Sequence, residues 1–96
     1  MPFFEASQSA IDQFADALWL EDGLSRNTLS AYRSDLRHFA HWLAAQAPPL
    51  ALDAAAEHHI QAYFSARHHG TRATTANRRL TVLRRYYHWA LREKRI

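Results

Sequence analysis

The sequence contains no cysteine, which excludes a disulfide scaffold, a thiolate nucleophile and a cysteine-ligated zinc site. It also has no apolar run near the ~20 residues that a membrane span requires. Residues 1–9 lack the basic patch and the apolar stretch of a secretory signal. These absences predict a soluble, cytoplasmic protein.

Glycine and β-branched residues are scarce. Only two glycines, Gly23 and Gly70, interrupt a chain that is rich in alanine and arginine. This composition favours helix, and no segment alternates in the manner of a strand. Because 96 residues are enough to bury one core, we expect a single all-α domain spanning residues 1–96.

Negative charge is nearly missing from the last third of the chain. Residues 67–96 hold nine of the twelve Lys and Arg residues and one acid, whereas residues 1–66 hold three arginines and eight acids. This asymmetry favours a nucleic acid partner, with a merely solvated basic surface as the alternative. All but one of the basic residues are arginines, whose planar guanidinium suits guanine edges and phosphate oxygens.

Apolar residues at helical spacing predict two helices in the first half of the chain. Ser7 and Ser9 are N-cap candidates for the first helix, and Gly23 is its expected end. Its apolar stripe is Ile11, Phe14, Ala15 and Leu18. Residues 25–28 supply N-cap candidates for the second helix. Its stripe is Leu29, Tyr32, Leu36, Phe39 and Leu43.

Two further helices are predicted after Pro48 and Pro49, which end the second one. The third has Asp53 as its expected N-cap and closes at Gly70. The fourth runs from a cap at Thr74 or Thr75 to about residue 93. Its expected buried face is Ala76, Leu80, Leu83, Tyr87, Ala90 and Leu91. Short connections between four amphipathic helices predict a compact bundle with crossing helices.

Polar and basic residues occupy the opposite faces of the second and fourth helices. On the second helix they are Arg26, Ser30, Arg33, Arg37 and His41. On the fourth they are Thr74, Arg78, Thr81, Arg85 and Arg92. The free amides at the start of the fourth helix add a phosphate-binding terminus. Together the two stripes predict a face that binds duplex nucleic acid.

The histidines do not predict a metal site. His58 and His59, like His68 and His69, are adjacent, and we expect their rings to point apart on a helix. No cofactor is predicted either, because a glycine-rich phosphate loop is undetectable.

Two stretches of the sequence resemble a known family. They are LWLEDGLSRNTLSAYRSDL at residues 18–36 and TTANRRLTVLRRYYHWALRE at residues 74–93. The most specific element is the pattern N-T-L-x-A-Y-x-x-D-L, which begins at Asn27 and ends at Leu36. Both stretches resemble the N-terminal core-binding domain of tyrosine recombinases of the Xer type, D kind (XerD-like).

This resemblance implies a SAM-like orthogonal bundle of four main helices that forms one half of a clamp around duplex DNA. The implied DNA-binding positions are Arg26, Asn27, Thr28, Ser30, Arg33, Arg37, Arg72, Thr74, Arg78, Arg79 and Arg85. Among them, Arg78 and Ser30 are expected to reach base edges. Those expected to contact mainly phosphate are Arg26, Arg37, Arg72 and Arg85. For Arg84, a salt bridge or packing role stays open beside DNA contact.

The resemblance also implies that the catalytic tyrosine and its assisting residues lie in a separate C-terminal domain that is absent from this chain. We therefore expect this chain not to cut DNA. Its full-length parent would act on a DNA recombination site in chromosome dimer resolution, with a XerC-like recombinase and a DNA translocase as partners. The isolated domain is expected to be monomeric.

Two other interpretations stay open. In the first, the chain is a helical protein-interaction module that docks a partner through Val82, Tyr86 and Trp89, while the arginines confer solubility. In the second, it is the core-binding domain of a phage or transposon integrase, which would share the fold and the DNA contact but act on another substrate.

Overall fold

The computed structural model describes residues 2–96, and most of them are helical. The four α-helices are α1 (Pro2–Ala17), α2 (Arg26–Ala44), α3 (Glu57–Ala66) and α4 (Ala73–Arg92). A π-helical turn, Leu18–Asp22, extends α1, and a 3₁₀ turn, Leu52–Ala54, precedes α3. No strand occurs in residues 2–96, so the all-α prediction is confirmed.

The four helices form a compact bundle in which α2 is central. It packs along α1 and also contacts α3 and α4. The Cα radius of gyration is 12.9 Å, close to the ~13 Å expected of a folded domain of about 100 residues. None of the described helices is both long enough and apolar enough to cross a membrane.

The start of α1 differs from the prediction. It begins at Pro2, and proline suits this position because the first helical N–H has no partner within the helix. Ser7 is buried, and its Oγ accepts a hydrogen bond of 2.9 Å from the N–H of Leu52. Ser7 therefore ties α1 to the segment before α3 and does not cap α1. The predicted stop at Gly23 is confirmed, with the left-handed φ of 63° that glycine tolerates.

The prediction for α2 is confirmed in detail. The N–H of Thr28 donates to the Oγ of Ser25, which makes Ser25 the N-cap. Four of the five predicted stripe residues are buried, namely Leu29, Leu36, Phe39 and Leu43. The fifth, Tyr32, is half-buried and packs against the same core.

The predicted cap of α3 is wrong. This helix begins at Glu57, where the Nδ1 of His59 accepts a hydrogen bond of 2.9 Å from the N–H of Ala56. Asp53 instead lies in the 3₁₀ turn and accepts hydrogen bonds from the hydroxyl of Tyr86 and the Nε of Arg95. Its partners lie in α4 and in the C-terminal segment, so no local pattern around Asp53 reveals this role.

The predicted cap of α4 is also wrong. This helix starts at Ala73 after an N-cap at Arg72 that makes no side-chain capping bond. Thr74 and Thr75 therefore lie inside the first turn.

The buried face of α4 is displaced from the predicted face by about one residue position, or roughly 100° around the helix. Its buried residues are Val82, Leu83, Tyr86, Trp89 and Ala90. The side chain of Leu91, expected in the core, is 63% exposed. The aromatic ring of Phe14 lies 5.3 Å from the ring of Tyr86 and 5.5 Å from that of Trp89, centroid to centroid. These contacts with α1 determine which side of α4 faces inward.

Candidate nucleic-acid interface

A buried carboxylate joins α2 to α4. Asp35 in the middle of α2 is 4% exposed, and its two oxygens each accept a hydrogen bond of 2.9 Å from Arg78, one from Nε and one from Nη2. The Nε of Arg79 lies 3.7 Å from the same carboxylate. Hydrogen bonding and the negative charge of Asp35 raise the pKa of Arg78 further above its ordinary value. The pair therefore fixes one arginine of the predicted interface in a defined orientation.

Arg78 is held by one edge of its guanidinium only. Its Nε and one N–H of Nη2 are used by Asp35, and no hydrogen bond from Nη1 is recorded within residues 2–96. The side chain is 46% exposed. The free N–H groups of Nη1 and Nη2 form the end-on fork that matches the O6 and N7 acceptors of guanine. Arg78 can therefore keep Asp35 and still donate to a ligand.

The other two arginines of the α4 stripe also meet carboxylates. The Nη2 of Arg85 donates to Asp22, and its guanidinium lies 5.7 Å from the ring centroid of Tyr32. The Nη2 of Arg92 donates to Glu21 at 3.0 Å. Both acids lie in the turn that follows α1, far from α4 in sequence. The fold therefore offsets part of the charge asymmetry that the sequence shows.

The arginines of α2 are mostly without acidic partners. Arg33 is the exception, because its Nη1 lies 2.6 Å from the Oδ1 of Asp12. Arg26 and Arg37 are exposed, and no ion pair is recorded for either within residues 2–96. A cleft on the outer face of α2 is lined by Ser30, Arg33, Ser34, Arg37, His38 and His41. Its wall is polar along its length, and its side chains can donate to an anionic ligand.

The remaining predicted site residues lie at the helix starts or beside Asp35. Asn27, Arg72 and Thr74 are exposed. Thr28 is half-buried, and its Oγ1 accepts a hydrogen bond from Ser25, so its hydroxyl takes part in the cap of α2. Arg79 is only 18% exposed and faces inward toward α2. The structure thus places the predicted residues on two helices that contact each other, with Arg79 behind the exposed face.

Sequence reasoning missed the acids of this site. Asp35, Asp22 and Glu21 contact arginines that we predicted only as part of a face that binds nucleic acid. A signal for Asp35 was present, because it is the aspartate in the N-T-L-x-A-Y-x-x-D-L pattern. The pattern did not reveal its partner, which lies 43 residues further along the chain.

The surface on which the protein-interaction alternative depends is buried. Val82 and Tyr86 are 0% exposed and Trp89 is 9% exposed, so these side chains form core and offer no docking face. Tyr87 is structural, as expected, because its hydroxyl donates to the carbonyl of Leu52. Arg84 is exposed, and no ion pair is recorded for it within residues 2–96.

The histidines also differ from expectation. The rings of His58 and His59 lie 4.0 Å apart between centroids and therefore do not point apart. His68 and His69 follow the end of α3 and are not helical. Within the described residues, no group of three or more His, Asp or Glu side chains is placed to hold a metal ion.

Comparisons with known proteins agree with this architecture. Residues 11–94 match the family described as the phage integrase N-terminal SAM-like domain. The chain is 53% identical over 97% of its length to the tyrosine recombinase XerD of Ralstonia nicotianae, and 42% identical over 94% to that of Proteus mirabilis. It spans only 30% and 28% of the lengths of these relatives. No solved structure matches the chain.

Proposed function

The chain belongs to the family of phage integrase N-terminal SAM-like domains, and we propose that it binds duplex DNA through α2 and α4 as one half of a recombinase clamp. The matches cover the N-terminal domain of XerD recombinases, so the catalytic domain lies outside this chain and the chain itself is not catalytic. The observation that carries the proposal is the guanidinium of Arg78, which Asp35 holds by one edge and whose other edge is free.

The proposed contacts fall into two kinds. Arg78 and Ser30 reach base edges in the major groove, because both are exposed on the two contacting helices. Phosphates are contacted by Arg26, Arg37, Arg72 and Arg85. The rest of the proposed surface lies at the helix starts and along α2. It consists of Asn27, Thr28, Arg33 and Thr74. Arg79 supports it from behind through its charge next to Asp35.

We propose that the full-length parent is a XerD-like tyrosine recombinase of the cytoplasm that acts at a chromosomal recombination site. The similarity to proteins named tyrosine recombinase XerD supports this proposal. Resolution of chromosome dimers, a XerC-like partner and an activating DNA translocase belong to the same proposal. The second candidate is a phage or transposon integrase. The observation that favours it is the description of the matched family, which names phage integrase.

Nuclear magnetic resonance of the ¹⁵N-labelled chain tests the interface directly. We expect a duplex carrying a Xer-type recombination site to shift the backbone amides of residues 26–37 and 72–85. The isolated chain should bind weakly, because it lacks the second half of the clamp. In a full-length protein, a linker would join the two halves and raise the effective concentration of one half at the DNA once the other half has bound. Weak binding with shifts confined to these two ranges therefore supports the proposal.

The contrary result is equally clear. Shifts that cluster on α1 and the Pro48–Pro49 loop, with α2 and α4 unaffected, would place the DNA on another face. No shift at low salt would contradict DNA binding by this chain.

A further inference from the structure

A cavity of about 390 Å³ lies between the end of α3 and the first turns of α4. Its apolar wall includes Phe64, Ala73 and Ala76, and its polar wall includes Tyr63, Arg67 and Arg79. The volume falls in the range of small-ligand sites in proteins. Tyr63 and Arg67 have no part in the proposed DNA surface, so the function proposed above does not account for this cavity.

Three polar atoms of the cavity wall are buried and have no hydrogen-bond partner within the described chain. They are the hydroxyl oxygen of Tyr63, the Nε of Arg67 and the Nε of Arg79. Tyr63 is 1% exposed, so bulk solvent does not reach its hydroxyl. Buried polar groups are nearly always paired in native proteins, because leaving a donor unpaired is costly. Because the Nε of Arg79 has the carboxylate of Asp35 3.7 Å away, the hydroxyl of Tyr63 and the Nε of Arg67 are the two atoms that indicate a ligand.

The chemistry of these atoms specifies the kind of ligand. A guanidinium only donates. The hydroxyl of Tyr63 lies close to the guanidinium of Arg67, and a bond from Arg67 uses the hydroxyl oxygen as acceptor and leaves the hydroxyl proton unpaired, so the missing partner is an acceptor. For the Nε of Arg79, the nearest recorded acceptor is the Oδ1 of Asp35, whose distance of 3.7 Å makes an ion pair but is too long for a hydrogen bond. The hydroxyl of Thr71, also in the wall, donates to the carbonyl of Arg67. No acceptor of the described chain is bonded to the Nε of Arg67 or to the proton of Tyr63, so their acceptor comes from outside it.

The charges of the wall favour an anion. The guanidinium of Arg67 lies over the ring of Tyr63, 4.9 Å from its centroid, and Arg79 lines the same wall. Burial raises the pKa of Tyr63, and the negative charge of Asp35 adds to this effect. Arg67 and the positive charge of Arg79 oppose it only in part, so the hydroxyl stays protonated and can donate. Two guanidinium groups and a hydroxyl donor form charge-assisted hydrogen bonds with an oxyanion.

We propose that this cavity binds a small oxyanion of the phosphate type, held by the hydroxyl of Tyr63 and the guanidinium groups of Arg67 and Arg79. Two sources supply this chemistry: free inorganic phosphate and a phosphate group of the DNA backbone. The second source rests on the DNA binding proposed above, whereas the first is independent of it.

Titration of inorganic phosphate, with chloride at matched ionic strength as the reference, tests the site. We expect phosphate to raise the melting temperature of the wild-type chain and to shift amide signals of residues 63–79, while chloride does neither. Tyr63→Phe keeps the ring and removes one donor. It should weaken phosphate binding roughly tenfold, and it should not destabilise the phosphate-free chain, because an unpaired hydroxyl is lost.

Tyr87→Phe is the matched control. It also removes a tyrosine hydroxyl, but this hydroxyl donates to Leu52 and lies outside the cavity. We expect this variant to be less stable than the wild type and to bind phosphate with unchanged affinity. The two variants thus separate the loss of a ligand contact from a general loss of packing.

Titration of DNA distinguishes the two sources. If Tyr63→Phe and Arg67→Gln weaken binding of a duplex and free phosphate competes with that duplex, the oxyanion is a backbone phosphate. If both variants lose phosphate affinity and keep DNA affinity, it is free phosphate. The proposal is overturned if phosphate has no effect beyond that of chloride on the wild type, or if Tyr63→Phe binds phosphate as the wild type does. Either result would leave DNA binding by α2 and α4 untouched, because Tyr63 and Arg67 do not belong to that surface.

Discussion

The exposed arginines of α2 and α4 differ in what they contact. On α4, Arg78, Arg85 and Arg92 each meet a carboxylate from an earlier part of the chain. On α2, Arg26 and Arg37 project outward, and no ion pair is recorded for either within residues 2–96. Arg33 on α2, which pairs with Asp12, and Arg84 on α4, for which no ion pair is recorded within residues 2–96, are the exceptions to this contrast.

This difference suggests a division of work. An arginine that is already oriented by a carboxylate loses less side-chain freedom when it binds, so its hydrogen bonds can be directional. An unpaired arginine has no neighbouring carboxylate to offset its charge, and its side chain stays mobile. Both properties suit contact with DNA phosphates whatever the base sequence. We therefore assign discrimination between DNA sequences mainly to α4, through Arg78, and general affinity mainly to α2.

Replacing Arg78 should have the largest effect. Arg78→Ala leaves the buried carboxylate of Asp35 with only Arg79, at 3.7 Å. We expect the free energy of unfolding to fall by about 2 kcal/mol, because a buried charge loses its main partner. Preference for a recombination site over a scrambled duplex should fall roughly tenfold. Urea denaturation and DNA titration measure the two effects.

Arg92→Ala is the control for this comparison, because both Arg92 and its partner Glu21 are exposed. We expect no measurable change in unfolding. Equal destabilisation by Arg78→Ala and Arg92→Ala would show that burial of Asp35 does not matter.

Neutralising Asp35 should lower the preference for the recombination site and slightly raise the affinity for DNA of any sequence. Asp35→Asn removes the charge that orients Arg78, and it also removes a buried negative charge behind the proposed DNA surface. We expect the free energy of unfolding to fall by about 1 to 2 kcal/mol. Affinity for a scrambled duplex should rise slightly, while preference for the site falls several-fold. Unchanged preference would mean that Asp35 only stabilises the fold.

Removing the unpaired arginines should change affinity without changing selectivity. Arg26→Ala and Arg37→Ala each delete an exposed charge that has no recorded acidic partner. We expect each to weaken binding to both duplexes equally. Each should also reduce the slope of log affinity against log salt concentration by about 1. A loss of site preference in either variant would contradict the division between the two helices.

Removing one acidic partner of Arg92 on α4 should have the smallest effect. Glu21→Gln removes one of the two exposed ion pairs of Arg92 and leaves the other, in which the Nε of Arg92 lies 3.4 Å from Glu93. We expect slightly tighter binding to both duplexes and unchanged stability, because exposed ion pairs contribute little. Titration of both duplexes checks this, and a marked gain in site preference would count against the account.

The parts of the fold that the sequence predicts well are those that depend on local signals. The cap at Ser25, the stripe from Leu29 to Leu43 and the stop at Gly23 all lie within the segments that they define. The inward face of α4 depends instead on a contact with α1. The ring of Phe14 packs against Tyr86 and Trp89, and the spacing within α4 alone does not distinguish Tyr86 from the adjacent Tyr87. The predictions that Ser7 and Asp53 cap helices are wrong for a similar reason. The residues that they contact lie far away in the sequence, so local spacing does not reveal them.

The site follows the same rule. The arginine stripes could be read from helical spacing, since each stripe lies on one helix. The pairing of Arg78 with Asp35 and of Arg85 with Asp22 joins segments more than 40 residues apart. The unpaired donors of Tyr63 and Arg67 had no sequence signal, because an absent partner leaves no pattern.

Fluorescence-anisotropy titration tests the central claim most directly. It compares a duplex carrying a Xer-type recombination site with a scrambled duplex, at about 50 and 200 mM salt, for the wild type and Arg78→Ala. We predict salt-sensitive binding to both duplexes by the wild type, with a preference for the site that Arg78→Ala loses. If neither duplex binds at low salt, or if Arg78→Ala keeps the full preference, sequence-specific DNA binding through α4 is contradicted.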